Sequence, residues 1–257
     1  MLTTSDSSGI PYDKWLWIRR DEQGLATSMP RAALNSNGHY TDRGDEYFAQ
    51  REVARSDRLQ ALRATLFQDV ADERLTILDF GCGNGGILTH LPARARIGVE
   101  IGEQAASDAQ SKGITIHRSL AEVAPRSIDV AISFHAIEHV EHPLDALSAI
   151  LRTLKPGGKA RLVVPCETPI TRMERGWKTD KNQHLYTWTP LLFGNLAARA
   201  GFEQIEARLA PMPSGARMAR WVGTKSLLGR AWSTFINLRD NSYNVVLDAV
   251  APSSRAS

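Results

Sequence analysis

The amino-acid sequence predicts a doubly wound α/β fold, built on one seven-stranded, mostly parallel sheet whose last strand is antiparallel. Two observations support this fold class. From about residue 75 of the 257-residue chain, short apolar runs typical of strands alternate with stretches of helical periodicity. The first of these runs leads directly into a glycine-rich turn, as strands do when a helix follows. Repeated strand–helix–strand units place successive strands in parallel, with helices on both faces of the sheet.

The predicted strands are short runs rich in Ile, Leu and Val. They occupy residues 75–80, 95–100, 113–117, 127–134, 159–165, 203–210 and 243–250. Helices are expected between them near residues 85–91, 103–111, 143–154 and 189–200. This alternation, with no internal repeat and no clear linker, predicts one domain.

The N-terminal part of the chain differs in composition. Residues 1–40 are rich in Ser, Thr, Gly and Asn with little periodicity, whereas residues 45–67 have a helical pattern with arginines outside the apolar face. We therefore expect an N-terminal extension and cap helix over residues 1–70. The domain itself is expected over residues 71–257, with an insertion at 211–240.

Composition and charge exclude several classes of protein. A hydrophobic content of 42%, a charged content of 23% and a net charge of +3 are ordinary for a globular protein, and they permit an anionic ligand without requiring nucleic acid. The two cysteines, Cys82 and Cys166, are too far apart in sequence to indicate a disulfide framework. The sequence begins without a secretory signal and contains no run of about 18 apolar residues. We expect a soluble, cytoplasmic protein.

The glycine-rich turn follows the first predicted strand, in ILDFGCGNGG (residues 77–86). Glycines let the backbone turn sharply there and let a ligand approach the main chain. Glu100 ends the next predicted strand, where a carboxylate can accept hydrogen bonds from both hydroxyls of a ribose. Together these features predict a site for an adenosine-containing cofactor. A dinucleotide dehydrogenase would fit these two features.

Four segments carry a family resemblance. They are LDFGCGNG (78–85), the acidic Glu100, SIDVAISFHAIEHV (127–140) and LKPGG (154–158). This set resembles the class I S-adenosylmethionine-dependent methyltransferases, most closely the small-molecule type that includes the ubiquinone-biosynthesis methyltransferases. The resemblance covers roughly residues 75–210 and implies a Rossmann-like fold with S-adenosylmethionine as cofactor. Cys82 between the first two glycines, together with LKPGG, favours this family over a dehydrogenase.

The resemblance also implies a set of cofactor-binding residues. Those on the methionine and ribose side are Asp79, Gly81, Cys82, Gly83, Gly85 and Glu100. Phe134 ends the fourth strand, and Arg51 on the cap helix is placed to pair with the cofactor's carboxylate. Ser119 and Leu120 stand about where the family often has an acidic residue for the adenine, so the adenine contact remains open.

The stretch HAIEHVEH, residues 135–142, lies at the exit of the fourth predicted strand. His135, Glu138 and His139 would share one face if the following turn were helical, and that face would point toward the acceptor. HAIEH matches a zinc-protease string, but that string belongs on a long helix rather than after a strand. In the resembled family, the ubiquinone-pathway O-methyltransferases and the small-RNA 2′-O-methyltransferases carry E-x-x-E-H here and bind a divalent cation, whereas many relatives with Glu-His here use no metal. In this chain His135 replaces the first glutamate, and His184 could complete the set.

Imidazole-rich ligands would suit Zn²⁺ or Fe²⁺ better than Mg²⁺. We favour a structural or proton-transfer role over a metal, with His135 or His139 as general base. The catalytic candidates are His135, Glu138, His139 and His184. The resemblance implies methyl transfer to a small-molecule, lipid-linked or sugar acceptor, with oxygen as the favoured acceptor atom. A binding protein without turnover is the alternative.

The segment 211–240 is the least expected part of the sequence, because it is basic and apolar where the family has a short link. Its pattern favours burial against the domain, with contact to an anionic membrane surface as the alternative. RNA methylation is a weaker hypothesis, since the basic residues are concentrated in this one insertion. No nucleic-acid partner is expected, and the sequence leaves the oligomeric state open.

Overall fold

The computed structural model describes residues 56–166, 184–211 and 243–253. Its strands are β1 (Asp72–Phe80), β2 (Ala93–Val99), β3 (Thr115–His117), β4 (Ile128–Phe134), β5 (Leu154–Cys166), β6 (Glu203–Pro211) and β7 (Tyr243–Val250). Its α-helices in these ranges are α1 (Asp57–Ala64), α2 (Gly86–Thr89), α3 (Glu103–Ser111), α4 (Pro143–Thr153) and α5 (Pro190–Ala200). Two 3₁₀ turns in the same described ranges occupy Leu120–Glu122 and Ile137–His139.

The seven strands form one sheet in the order β3-β2-β1-β4-β5-β7-β6. The pairs β1–β2, β1–β4, β2–β3 and β4–β5 are parallel, while β7 is antiparallel to both β5 and β6. The predicted fold class is confirmed, including the antiparallel last strand. The chain runs outward from β1 to β3 and then returns to β4 on the other side of β1. A crevice therefore opens at the carboxyl ends of β1 and β4, where ligands bind in folds of this kind.

Two apolar layers cover the two faces of the sheet. Neighbouring residues of a strand point to opposite faces, so Ile77 of β1 packs in one layer and Leu78 in the other. The Leu78 layer includes Leu147 of α4 and Phe193 of α5. The Ile77 layer includes residues of α2 and α3, together with Ala64 and Phe67. Burial on both faces explains why the strands read as nearly continuous apolar runs.

Most predicted element boundaries agree with the structure to within three residues, and two of the differences have a clear physical cause. The first helix after the glycine turn ends at Thr89 rather than near residue 91. Pro92 disfavours the helical conformation in the residue before it, and β2 begins at Ala93. The fifth strand begins at Leu154 rather than at Lys159. As β4 advances from Ile128 to Val130, its partner on β5 changes from Leu154 to Lys159, so LKPGG forms an irregularity within the strand.

Arg161 joins β5 to two other parts of the chain. Its guanidinium lies largely buried and donates hydrogen bonds to Asp248 of β7 and to Asp69 after α1. It also donates to the Leu66 carbonyl oxygen at 3.0 Å. Desolvation is offset by the hydrogen bonds to Asp248 and Asp69, and the pKa of Arg161 is raised. These contacts hold the segment after α1 against one face of the sheet, over β5 and β7.

Several predictions concern residues outside the described ranges. They are Arg51, most of the predicted N-terminal extension, and all but the first residue of the 211–240 insertion. The domain boundaries predicted from the sequence therefore stay predictions. Among the described helices, none is both long enough and apolar enough to cross a membrane.

Candidate active site

The turn after β1 has three glycines in the left-handed region of the backbone. Gly81, Gly83 and Gly85 have φ of +74°, +53° and +73°. A Cβ atom on Gly81 would lie 2.4 Å from the Ala136 Cβ, and one on Gly85 would lie 2.2 Å from the Ile114 Cδ1. Among the described residues, a Cβ on Gly83 would meet nothing within 4 Å. Packing thus requires glycine at Gly81, and packing together with the positive φ disfavours a side chain at Gly85. In the described ranges, Gly83 instead borders open space in which a ligand could contact the main chain.

Glu100 stands at the tip of β2 and connects directly to this turn. Its Oε2 accepts a hydrogen bond from the Gly83 backbone N–H at 2.9 Å, and its Oε1 accepts one from the Gly102 N–H at 2.7 Å. Burial raises the pKa of Glu100, and these backbone hydrogen bonds from Gly102 and Gly83 partly offset the increase. Each carboxylate oxygen can accept more than one hydrogen bond, so both oxygens retain capacity for a ligand.

Asp79 and Cys82 share the same poorly hydrated environment. The Asp79 side chain is buried near the end of β1, and its pKa is raised well above the usual value by desolvation and then by the charge of Glu100. Burial likewise raises the pKa of the Cys82 thiol, with Asp79 and Glu100 adding to the effect. A Cβ on Gly98 would lie 2.4 Å from the Cys82 Sγ, so the thiol fills space against β2. The pocket therefore disfavours negative charge and would be stabilised by a cation.

Ser119 and Leu120 follow β3 on the far side of Glu100. The Ser119 Oγ accepts a hydrogen bond from the Ala121 N–H at 3.2 Å and so caps the Leu120–Glu122 turn. Leu120 is buried and supplies an apolar wall. Arg118 connects this segment to the tip of β2 by donating to the Ile101 carbonyl oxygen at 2.8 Å.

The exit of β4 differs from the expected arrangement. The helical turn covers only Ile137–His139, and His135 precedes it with a left-handed φ of +54°. His135 therefore does not share a helical face with Glu138 and His139, and that prediction is wrong. Its imidazole stacks on the Phe134 ring, with ring centroids 4.2 Å apart and planes 3° apart. Its Nε2 lies 2.9 Å from the Oδ1 of Asn244 at the start of β7.

The other three candidates meet one another. Glu138, His139 and His184 each offer one ligand atom, and these atoms lie within 4.8 Å of one another. The Glu138 Oε1 is 3.8 Å from the His139 Nε2 and 4.0 Å from the His184 Nε2. The Leu185 N–H donates to the Glu138 carbonyl oxygen at 2.9 Å, which holds the segment bearing His184 against the β4 exit. His135 is not a member of this group, so three of the four candidate metal ligands come together.

Sequence reasoning missed two residues near this end of the sheet. Asn244 is fully buried, and a polar residue at the start of the apolar run YNVVLDAV was the available signal. Arg63 of α1 lies with its guanidinium carbon 5.1 Å from the centroid of the Phe134 ring. The sequence predicted the helix that contains Arg63, but nothing in the sequence distinguished Arg63 from the neighbouring arginines of that helix.

Comparison with known proteins decides the family. Residues 47–207 match the family model described as a methyltransferase domain. The chain belongs to the methyltransferase domain family. The matched range contains the glycine turn, Glu100, the β4 exit and His184, which are the features that the geometry brings to the carboxyl edge of the sheet.

Curated relatives of this methyltransferase domain include ubiquinone biosynthesis O-methyltransferases. The one from Cereibacter sphaeroides is 35% identical over 127 residues, covering 44% of this chain and 48% of the relative. The one from Caulobacter vibrioides is 35% identical over 126 residues, covering 44% and 47%. The aligned region thus spans about half the length of each relative.

A solved structure supports the fold of the methyltransferase domain. A S-adenosylmethionine-dependent methyltransferase from Archaeoglobus fulgidus matches with a TM-score of 0.57 at 19% identity, covering 79% of this chain and 99% of that one. At this identity the match concerns the fold.

Proposed function

We propose that this methyltransferase domain binds S-adenosylmethionine at the carboxyl ends of β1 and β2. There it would transfer a methyl group to an oxygen atom of a small-molecule, lipid-linked or sugar acceptor. The observation that carries the proposal is the Glu100 carboxylate, fixed by the Gly83 and Gly102 backbone N–H groups beside the open space at Gly83. The curated relatives, which are named as O-methyltransferases, support the choice of oxygen.

The residues fit this cofactor for two physical reasons. The Glu100 oxygens keep acceptor capacity after their backbone hydrogen bonds, which suits the two hydroxyl donors of a ribose. Asp79 and Glu100 are buried carboxyl groups whose pKa values are raised by desolvation, so a cationic ligand would stabilise their ionised forms. S-adenosylmethionine carries positive charge on its sulfonium and amino groups.

The chain itself has two tasks in the reaction. When bound, the cofactor supplies an activated methyl carbon that is displaced in line from sulfur. The glycine turn and Glu100 hold the adenosine end in place, so that the β4 exit can orient the acceptor; such positioning provides much of the rate enhancement in a displacement of this kind. An acceptor hydroxyl must also lose its proton, and the imidazoles of His135 and His139 are the candidate bases at that exit.

Glu138, His139 and His184 also form a donor set that would fit a divalent metal. One carboxylate and two imidazoles within 4.8 Å suit Zn²⁺ or Fe²⁺ better than Mg²⁺. A metal held there would lower the pKa of an acceptor hydroxyl. We favour the interpretation in which these residues move a proton or shape the pocket, because the buried Glu138 already lies between two imidazoles.

The proposed function is tested by a methyl-donor assay over a metabolite extract. Purified protein is incubated with isotope-labelled S-adenosylmethionine and the extract, and products are detected by the mass they gain. A labelled product that depends on Glu100 supports the proposal and identifies the acceptor. Cofactor binding without any labelled product would instead support a S-adenosylmethionine-binding protein without turnover. A parallel incubation with total RNA tests the weaker alternative.

A further inference from the structure

His135 has an unfavourable backbone conformation. Its φ of +54° lies in the left-handed region, which residues other than glycine seldom occupy and in which strained residues tend to cluster at functional sites. The residue still donates its backbone N–H to the Val163 carbonyl oxygen at 2.9 Å, so it remains attached to the sheet. The conformation redirects the side chain at the very end of β4, where the imidazole stacks on Phe134.

Asn244 carries a second unfavourable feature. It lies on β7 opposite Pro165 of β5, its side chain is fully buried, and apolar residues follow it on the strand. Its Oδ1 faces the His135 Nε2 at 2.9 Å, while its Nδ2 has no hydrogen-bond partner within the described part of the chain. A buried amide with half of its hydrogen-bonding capacity unmet costs stability, and an apolar residue would avoid that cost.

The two residues with these unfavourable features, His135 and Asn244, are joined by one hydrogen bond although they lie 109 positions apart in the sequence. We infer that Asn244 is a positioning residue that fixes His135 as the Nε2–H tautomer and sets the orientation of its ring. Phe134 determines the plane of the imidazole by stacking, and the Asn244 oxygen determines which nitrogen bears the hydrogen.

The chemical consequence concerns the second ring nitrogen. In the Nε2–H tautomer the lone pair is on Nδ1, so Nδ1 is the atom that can take a proton. On the proposed function, on which this inference rests, the acceptor O–H bond breaks as its proton passes to Nδ1. The acceptor oxygen forms its bond to the methyl carbon, and the carbon–sulfur bond breaks with its electron pair remaining on sulfur. Asn244 acts through His135 and touches neither reactant.

The inference is tested by determining the tautomer of His135. The ¹⁵N chemical shifts of protein containing ¹⁵N-labelled histidine report it, at a pH where the imidazole is neutral. The variant His135→Gln identifies the resonances. We expect the Nε2–H tautomer in the wild type. Asn244→Leu removes the acceptor at similar volume, and we expect mixed tautomers without a loss of thermal stability. Asn244→Asp keeps an oxygen opposite Nε2, and we expect it to retain the Nε2–H tautomer.

A wild type with the Nδ1–H tautomer would overturn the inference, since the amide would then present its nitrogen to Nε2. An Asn244→Leu variant with an unchanged tautomer, or an Asn244→Asp variant that loses it, would do the same. Once an acceptor is known, Asn244→Leu should lower kcat by about 10- to 100-fold with an unchanged KM for S-adenosylmethionine.

Cofactor calorimetry separates this inference from the proposed function. Wild-type protein that holds the Nε2–H tautomer but binds no S-adenosylmethionine would contradict the function and leave the relation between Asn244 and His135 intact. Protein that binds the cofactor but lacks the tautomer would contradict this inference alone.

Discussion

The Glu100 carboxylate and the Gly83 backbone are joined by a 2.9 Å hydrogen bond that links the tip of β2 to the turn after β1. The bond brings a buried acidic group to the one glycine of the turn that borders open space. In the proposed site, Glu100 would supply hydrogen-bond acceptors for an adenosine, and the missing side chain of Gly83 would leave room for it. Their pairing forms the proposed cofactor site at the carboxyl ends of β1 and β2.

Replacing Glu100 with Ala should weaken S-adenosylmethionine binding. A lost hydrogen bond to a charged group costs roughly 1.5–3 kcal/mol, which corresponds to about a 10- to 150-fold increase in Kd. Isothermal titration calorimetry measures this directly. Glu103→Ala is the matched control, because that side chain is 91% exposed in the first turn of α3. Equal affinity in the Glu100→Ala variant and the wild type would remove the cofactor assignment.

Gly83→Ala should weaken cofactor binding more than its effect on folding explains. Gly83 and Gly113 both have positive φ, and within the described part of the chain a Cβ on either would meet nothing within 4 Å. Alanine at either position should therefore cost a similar ~1–2 kcal/mol of unfolding free energy from backbone strain. Only the methyl group at Gly83 would protrude into the proposed cofactor space. Urea denaturation and calorimetry of both variants check this, and equal cofactor affinities would contradict it.

Asp79→Asn should stabilise the cofactor-free protein at neutral pH. The pKa of Asp79 is raised above 3.8 in the folded state by desolvation, so the favourable protonated form is lost as pH rises through the folded pKa. Thermal denaturation should show the variant and the wild type nearly equal below about pH 3.8, with the variant increasingly more stable as pH increases. The same variant should bind S-adenosylmethionine more weakly.

Asp72→Asn is a control, because its effect on stability should depend on pH in the opposite direction. Arg74 lowers the pKa of Asp72 to about 2, so its stabilising effect is present above pH 3.8 and is lost as pH falls toward 2. The exposed carboxylate is screened by solvent, and the effect should be small. If Asp79→Asn shows no gain in stability at neutral pH, then Asp79 is not held in a desolvated pocket.

Protein purified without a histidine tag should contain less than one equivalent of Zn or Fe if Glu138, His139 and His184 act without a metal. Elemental analysis measures the content, and a chelator should leave activity unchanged. One equivalent of metal that disappears in His184→Ala but persists in His142→Ala would assign the three residues as ligands. His142 is an exposed histidine just beyond the same turn, which makes it a suitable control.

Local elements were predictable because their patterns are contiguous in the sequence. The helix Glu103–Ser111 and the strand Tyr243–Val250 coincide with their predicted ranges, since each is bounded by turn residues on its flanks. The start of β5 was not predictable, because the irregularity at LKPGG depends on pairing with β4 and not on the periodicity of β5 itself.

The sequence by itself determined the fold class, the glycine turn and the position of Glu100. Each of these depends on one strand and the turn that follows it, and parallel strands bring their carboxyl ends to one edge. Only the tertiary structure decided which residues His135, His139 and His184 contact. His135 turns away to Asn244 across β5, while His184 joins Glu138 and His139 from a distant segment. These contacts depend on the order of the strands in the sheet and on the left-handed backbone conformation of His135. Neither property produces a periodic pattern of residues from which it could be predicted.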